Sequence, residues 1–147
     1  ALAEHGIECS ESDIISSRVE DTAALRRTVI DAIRNREVPD AIFCVNWPRA
    51  IGVYGAAKEL GLKIPNDLSV FGVDDLEFIP FLDPPLTTIA QPFYEMGRKA
   101  AEVLLQELAQ TETPSATRSF VQIIMPTEIV ERDSVAVKEE RSVPDLL

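Results

Sequence analysis

Asp74 and Asp75 stand side by side at the end of an apolar run, and adjacent carboxylates are the first residues here with a chemistry to offer. Neighbours at a strand end point to opposite sides, so the two are poorly placed to share a proton, and one rather than both should face a crevice. A carboxylate accepts from two hydroxyls at once, which suits sugars, polyols or purine edges; an aspartate there also serves as a helix cap or turn former. Asn46 combines donor and acceptor and suits a hydroxyl equally, while its position just before Pro48 is that of a helix cap. Trp47, the one tryptophan, can stack on a sugar ring or an aromatic base, or pack half-buried. Phe93 and Met96, one helical turn apart, can wall the apolar side of a cleft or pack into a core.

The rest of the inventory restricts the chemistry. His5 is the only histidine and Cys9 and Cys44 the only cysteines, without C-x-x-C spacing, so no zinc site and no nucleophile–base pair can be assembled. No glycine-rich phosphate loop is present. An enzyme would be reduced to a metal-assisted hydrolase built on Asp74, Asp75 or Glu77; the expectation is a non-enzyme with no catalytic residue, no metal and no cofactor. A formal charge of −11 opposes adhesion to nucleic-acid phosphates and anionic lipid. The longest apolar runs, such as Ala41 to Val45, fall far short of the roughly 20 residues of a membrane helix. Cys44, inside that run, is expected to be a reduced, buried small hydrophobe.

These residues need a scaffold, and 147 residues at 46% hydrophobic and 27% charged suffice for one domain with a core. Ala1 to His5, then Gly6, read as a helix end with a glycine cap, and Asp13 to Ser16 as a short strand. A helix capped by Asp21 or Thr22 follows, with Leu25, Val29 and Ile33 on its apolar side and Arg26, Arg27, Arg34 and Arg36 facing away. Val38-Pro39-Asp40 breaks it and launches Ala41 to Val45, a run without alternation, as in a parallel strand covered on both faces. Asn46 and Pro48 open the next helix, Gly61 stops it, and Leu68 to Val73 form a third strand. Strand, helix, strand, helix, strand at this spacing predicts an α/β fold: a right-handed βαβ lobe with a parallel sheet.

From Pro80 to Pro92 four prolines flank Leu86-Thr87-Thr88-Ile89, an extended segment crossing between layers or lobes. A helix is predicted from Pro92 to Gln110, with Ala100, Leu104, Leu105 and Leu108 on its apolar face. Thr111 to Ser119 reads as a loop, Phe120 to Met125 as a last strand, and the charged tail beyond Arg132 as loose. The chain opens on Ala1 rather than Met, with residues that read as the middle of a helix. It is expected to be a piece of something longer, so missing targeting signals carry no weight.

Pro39-Asp40-Ala41-Ile42-Phe43-Cys44-Val45-Asn46, Ala50-Ile51-Gly52 and the run from Gly61 to Asp75 (GLKIPNDLSVFGVDD) closely resemble the lactose-repressor (LacI/GalR) family of bacterial transcription regulators. Pro85 to Pro92 (PLTTIAQP), Gly97 to Ala101 (GRKAA) and Pro126 to Ser134 (PTEIVERDS) keep that family's order and spacing. The resemblance implies a periplasmic-binding-protein-like type I fold of two α/β lobes joined by three crossings, with the ligand between them. It divides the chain into residues 1–88, an incomplete C-terminal lobe; residues 89–126, a helix and strand of the N-terminal lobe; and residues 127–147, a return crossing and acidic tail. The DNA-binding headpiece, the hinge helix, most of the N-terminal lobe and the first strand and helix of the C-terminal lobe are absent on that template.

The same resemblance implies that Asn46 and Asp74 hydrogen-bond an effector and that Phe93 and Met96 form its apolar wall. Two positions depart from the family: Trp47 stands where Asp is frequent, and Glu20 where an aromatic stacking residue is common, so Trp47 can supply that surface instead. Ile51, Gly55 and Leu82 match the family's dimer surface and suit a two-fold patch. The implied protein is a cytoplasmic homodimeric regulator that senses a small molecule, a sugar or nucleobase-like metabolite. It reaches operator DNA only through a headpiece outside this sequence and makes no membrane contact. The alternative is a periplasmic sugar-binding protein of the same fold.

Overall fold

A computed structural model describes residues 2–6, 8–16, 21–109 and 121–137. Three helices and four strands follow in the order α1 (Thr22–Arg34), β1 (Ala41–Cys44), α2 (Trp47–Leu60), β2 (Ser69–Val73), β3 (Thr87–Ala90), α3 (Phe93–Ala109) and β4 (Glu128–Val130). The strands form one sheet in the order β1-β2-β3-β4, parallel except that β4 runs against β3. β1, α2 and β2 form one βαβ crossover with α2 laid on the sheet, while β2 passes to β3 through a short 3-10 turn at Ile79–Phe81.

Local chemistry sets the helix limits. Asp21 caps α1 by accepting from the Ala23 N–H at 3.1 Å, and Leu25, Val29, Ile30 and Ile33 all point into the core. Gly61 ends α2 in the left-handed conformation, φ 71°, where a Cβ would be strained. α1 and α2 pack closely because Gly52 leaves room: a Cβ there would stand 2.9 Å from the Leu25 Cβ. Beneath them Ala50, Val53, Ala56, Leu68, Val70, Ile79 and Leu86 complete the core, each no more than 2% exposed.

The segment after β4 is stitched to the sheet by side chains. Ser134, fully buried, donates to the Val70 carbonyl at 2.6 Å and accepts from the Thr87 N–H at 2.8 Å, while Val70 N–H donates to its carbonyl at 2.8 Å. Anchoring therefore runs past Arg132, where a loose tail was expected, because this serine supplies backbone partners between two strands. Residues 138–147 and the expected loop at 111–119 lie outside the described residues.

Three expectations are corrected, and one helix that forms as expected stands apart. β1 is not covered on both faces: Cys44 is buried under the helices, but Phe43, on the opposite face, is 55% exposed, with the Phe71 ring 5.4 Å away. Asp13 to Ser16 form no strand; Glu11–Asp13 make a 3-10 turn and no described strand lies beside Ile14 and Ile15 to pair with them. Val121 to Met125 form no strand either, the pairing with β3 falling instead on Glu128–Val130; Phe120 lies outside the described residues. Finally, α3 forms over nearly its expected length but buries no residue and packs on no other described helix or strand. Leu104 and Leu105 on its apolar face are 59% and 66% exposed.

Candidate functional site

The carboxyl ends of β1, β2 and β3 lie side by side at one edge of the sheet, where loops leave the ladder and helices begin. Register makes the placement definite. Cys44 pairs with Gly72, so Asn46 and Asp74 each lie two residues beyond the same rung; Val73 pairs with Ile89, which brings Gln91 next to Asp74. The structure thus gathers Asn46, Trp47, Asp74 and Asp75 at one end of the sheet, with Phe93 and Met96 following at the start of α3.

The two aspartates have separate tasks. Asp75 accepts from both arms of the Arg132 guanidinium, Nη1 to Oδ1 at 2.7 Å and Nη2 to Oδ2 at 3.0 Å, and from the Thr88 hydroxyl at 2.8 Å. The Arg132 hydrogen bonds hold its carboxyl below the ordinary value of 3.8, against a partial desolvation that pushes the other way. Asp74 has left-handed backbone, φ 77°, the one non-glycine residue so placed among the described residues. Its N–H donates to the Ile89 carbonyl at 3.0 Å, and its Oδ1 accepts from Gln91 Nε2 at 2.8 Å. Such a backbone costs about 1 kcal/mol or more in an L residue and turns the side chain away from its neighbour's. The pair therefore divides as adjacent residues should, with Asp75 locked to Arg132 and Asp74 held by one amide.

Asn46 caps α2: its Oδ1 accepts from the Arg49 N–H at 3.4 Å and from Arg49 Nη1 at 3.1 Å. The capping role expected of an asparagine before a helix is thus present in the geometry. Trp47 packs half-buried, edge-on to Phe78 with ring centroids 5.2 Å apart and planes at 78°. Phe93 and Met96 are 47% and 41% exposed on α3, with their apolar surface open. Glu20 lies outside the described residues. Of the residues matched to a dimer surface, Ile51 and Leu82 are half-buried, and Gly55 faces α1, where a Cβ would approach Arg26 Cδ to 3.1 Å. Cys44 is a free thiol pushed up to about 12 by burial, so it is inert at neutral pH. Among the described residues no cluster of three His, Cys, Asp or Glu is placed to hold a metal ion, and no helix is long and apolar enough to cross a membrane.

Sequence reasoning missed Gln91 and Arg132. Both act across 17 and 57 residues respectively, a separation that leaves no local periodicity to read. Their one signal is their place within the family-like segments at residues 85–92 and 126–134.

Residues 1–135 match the model of the periplasmic binding protein-like domain family. The chain is similar to the HTH-type transcriptional repressor PurR of Vibrio cholerae serotype O1 (strain M66-2), 38% identical over 136 residues, which cover 92% of this chain and 38% of that protein. It is also similar to the HTH-type transcriptional repressor CytR of Escherichia coli K12, 43% identical over 96 residues, or 65% of this chain and 27% of that one. Among solved structures, a sugar-binding transcriptional regulator of the LacI family from Escherichia coli, complexed with phosphate, superposes with a TM-score of 0.71 at 27% identity. The match covers 91% of this chain and 46% of that one. The chain thus spans less than half the length of each of these relatives.

Proposed function

Because the chain belongs to the periplasmic binding protein-like domain family, we propose that it is the effector-binding part of a LacI-type transcriptional regulator rather than of a periplasmic solute-binding protein. The observation that carries the reading is Asp74, set level with Asn46 at the strand ends, in a left-handed backbone, with a carboxylate whose partner is a neutral amide rather than a cation. A hydroxyl-bearing ligand can replace or add to that amide without breaking an ion pair. The class of ligand is a sugar or a nucleobase-like metabolite. Trp47, Phe93 and Met96 supply apolar surface around it, and Glu20 remains assigned to the same pocket. Repressor relatives rather than transport proteins support the regulator over the periplasmic alternative, and support a protein that senses rather than catalyses.

In this reading residues 1–88 form an incomplete C-terminal lobe, residues 89–126 supply a helix and strand of the N-terminal lobe, and residues 127–147 are the return crossing and acidic tail. Operator DNA is gripped by a separate basic headpiece, since a chain of charge −11 is repelled by phosphates. The regulator works as a cytoplasmic homodimer whose two-fold patch includes Ile51, Gly55 and Leu82. Effector binding changes lobe closure and hence operator affinity.

The test is a chimera in which this chain replaces the matched 136 residues of the Vibrio cholerae PurR relative. Operator binding is followed by fluorescence anisotropy while ribose, galactose, lactose, adenine, guanine and their nucleosides are added. At least one compound shifts the operator Kd severalfold, and Asp74→Ala removes that shift while operator binding survives. An operator affinity indifferent to the whole panel, or an unchanged response in Asp74→Ala, rejects the reading.

A further inference from the structure

Asp74 is held so that one side of it cannot move. Its N–H donates to the Ile89 carbonyl at 3.0 Å, and the next residue, Asp75, is clamped by both arms of Arg132 and by the Thr88 hydroxyl. The other side is lightly held. The Asp74 carboxylate accepts from Gln91 Nε2 at 2.8 Å, and a carboxylate only accepts, so the amide turns its nitrogen to Asp74 and its oxygen away. A neutral amide can be exchanged there for another neutral donor without separating charges.

Gln91 is also the residue from which α3 leaves the sheet. Its carbonyl accepts from the Phe93 N–H at 2.9 Å, the Pro92 carbonyl accepts from the Met96 N–H at 2.9 Å, and Pro92 confines the Gln91 backbone to the extended region. Beyond this stiff turn α3 packs on no other described helix or strand, so its direction is set at Gln91. Seventeen residues at the helical rise make a lever of about 25 Å, and a rotation of about 10° at the turn carries its far end about 4 Å. A change at the Asp74 carboxylate cannot pass into β2, which Arg132 and Thr88 hold through Asp75; it passes to Gln91 and on to α3.

We propose that Gln91 is a positioning residue for the site at Asp74, and that its hydrogen bond is a latch fixing the direction in which α3 leaves the sheet. A ligand hydroxyl that takes the Gln91 place on Asp74 Oδ1 frees the latch, and a ligand bound through Oδ2 alone leaves it shut. The first ligand gains its bond only in the freed state, which is the differential affinity that a shift between two states requires. The release rests on the reading of Asp74 as the effector residue; the latch rests on the hydrogen bond and the unpacked helix, so either can fail alone.

Exchanging the roles of the two side chains tests it. In the chain by itself, NMR residual dipolar couplings of the Phe93 to Gly97 amides, measured against those of β2 and β3, change in Gln91→Glu, where two carboxylates face each other. Adding Asp74→Asn to Gln91→Glu lets the asparagine amide donate to the introduced carboxylate, and the couplings return to the parent values. Loss of packing alone gives no such rescue. In the PurR chimera Gln91→Met shifts the operator Kd without any effector, by about threefold or more, a modest part of what a charge-assisted hydrogen bond supplies. Couplings unaffected by Gln91→Glu, a double variant that fails to restore them, or an operator Kd that Gln91→Met leaves unchanged each overturn the proposal. A chimera deaf to ribose, galactose, lactose, adenine, guanine and their nucleosides, in which Gln91→Met still shifts the operator Kd, rejects the effector reading and supports the latch.

Discussion

Arg132 grips Asp75 through both carboxylate oxygens, at 2.7 and 3.0 Å, and the same guanidinium donates to the Leu86 carbonyl at 2.8 Å. One side chain from the segment after β4 thereby ties the exit of β2 to the entry of β3. Thr87 adds a second tie, its hydroxyl donating to the Arg132 carbonyl at 3.0 Å and accepting from the Arg132 N–H at 2.9 Å.

Arg132→Ala should therefore destabilise the chain by about 2 kcal/mol, below the 3–5 of a fully buried pair because both partners retain some solvent contact. The midpoint of urea unfolding reads it, and Arg132→Lys recovers only part, since an ammonium cannot make the two-pronged contact. The pair also gives a pH dependence. Asp75 has a folded value below its unfolded one, so its stabilisation is present above about pH 4 and is lost as pH falls through the folded value. The stability gap between the parent chain and Asp75→Asn should hold constant from about pH 7 to about pH 5 and narrow below about pH 4.

Asp74 separates a backbone role from a carboxylate role. Asp74→Gly should be neutral or raise stability slightly, because φ 77° costs glycine nothing, whereas Asp74→Val should cost about 1–2 kcal/mol. Thermal unfolding of the three proteins distinguishes them. A valine variant as stable as glycine would mean that the left-handed geometry is not retained.

Gly52 and Gly55 look alike in sequence and should behave differently. An alanine Cβ at 52 lands 2.9 Å from the Leu25 Cβ, which α1 cannot move cheaply, and Gly52→Ala should lose about 1–3 kcal/mol. At 55 the neighbour is the Arg26 Cδ at 3.1 Å, on a flexible stem that can swing aside, so Gly55→Ala should cost under about 1 kcal/mol or gain through helix propensity. Urea midpoints settle the order.

Ser134→Ala should be costly for so small a change. It strips a donor from the Val70 carbonyl and an acceptor from the Thr87 N–H inside a fully buried site, for a loss of about 2–4 kcal/mol. Ser134→Cys, which retains a weak donor, should recover part of it in the same unfolding assay.

What the sequence could disclose follows the range of the forces involved. Leu25, Val29 and Ile33 mark α1 by spacing, Asn46 and Gly61 bracket α2, and the uninterrupted run at Ala41 marks β1; each is a matter of a few neighbours. The carboxyl-end position of Asn46 and Asp74 then follows from parallel topology. That adjacent Asp74 and Asp75 should point apart is legible from strand geometry, but not that Asp75 is the one locked, because Arg132 and Thr88 approach from elsewhere in the chain. Coverage of β1 on both faces, the strand at Asp13–Ser16 and the described part, Val121–Met125, of the last strand differ from expectation for a shared reason. An apolar run records what a segment is built to pack against, and a strand forms only where a paired neighbour is present.

α3 carries a last consequence. Among the described residues its seventeen residues bury no side chain and carry surface pairs of Arg98 with Glu95 and Glu102 and of Lys99 with Glu102, close to the length at which a helix without tertiary packing is half-melted in water. Its coil fraction is open to proteases, so limited digestion should nick the chain there well before the sheet, and whatever surface shields α3 will announce itself as a lag in that cleavage.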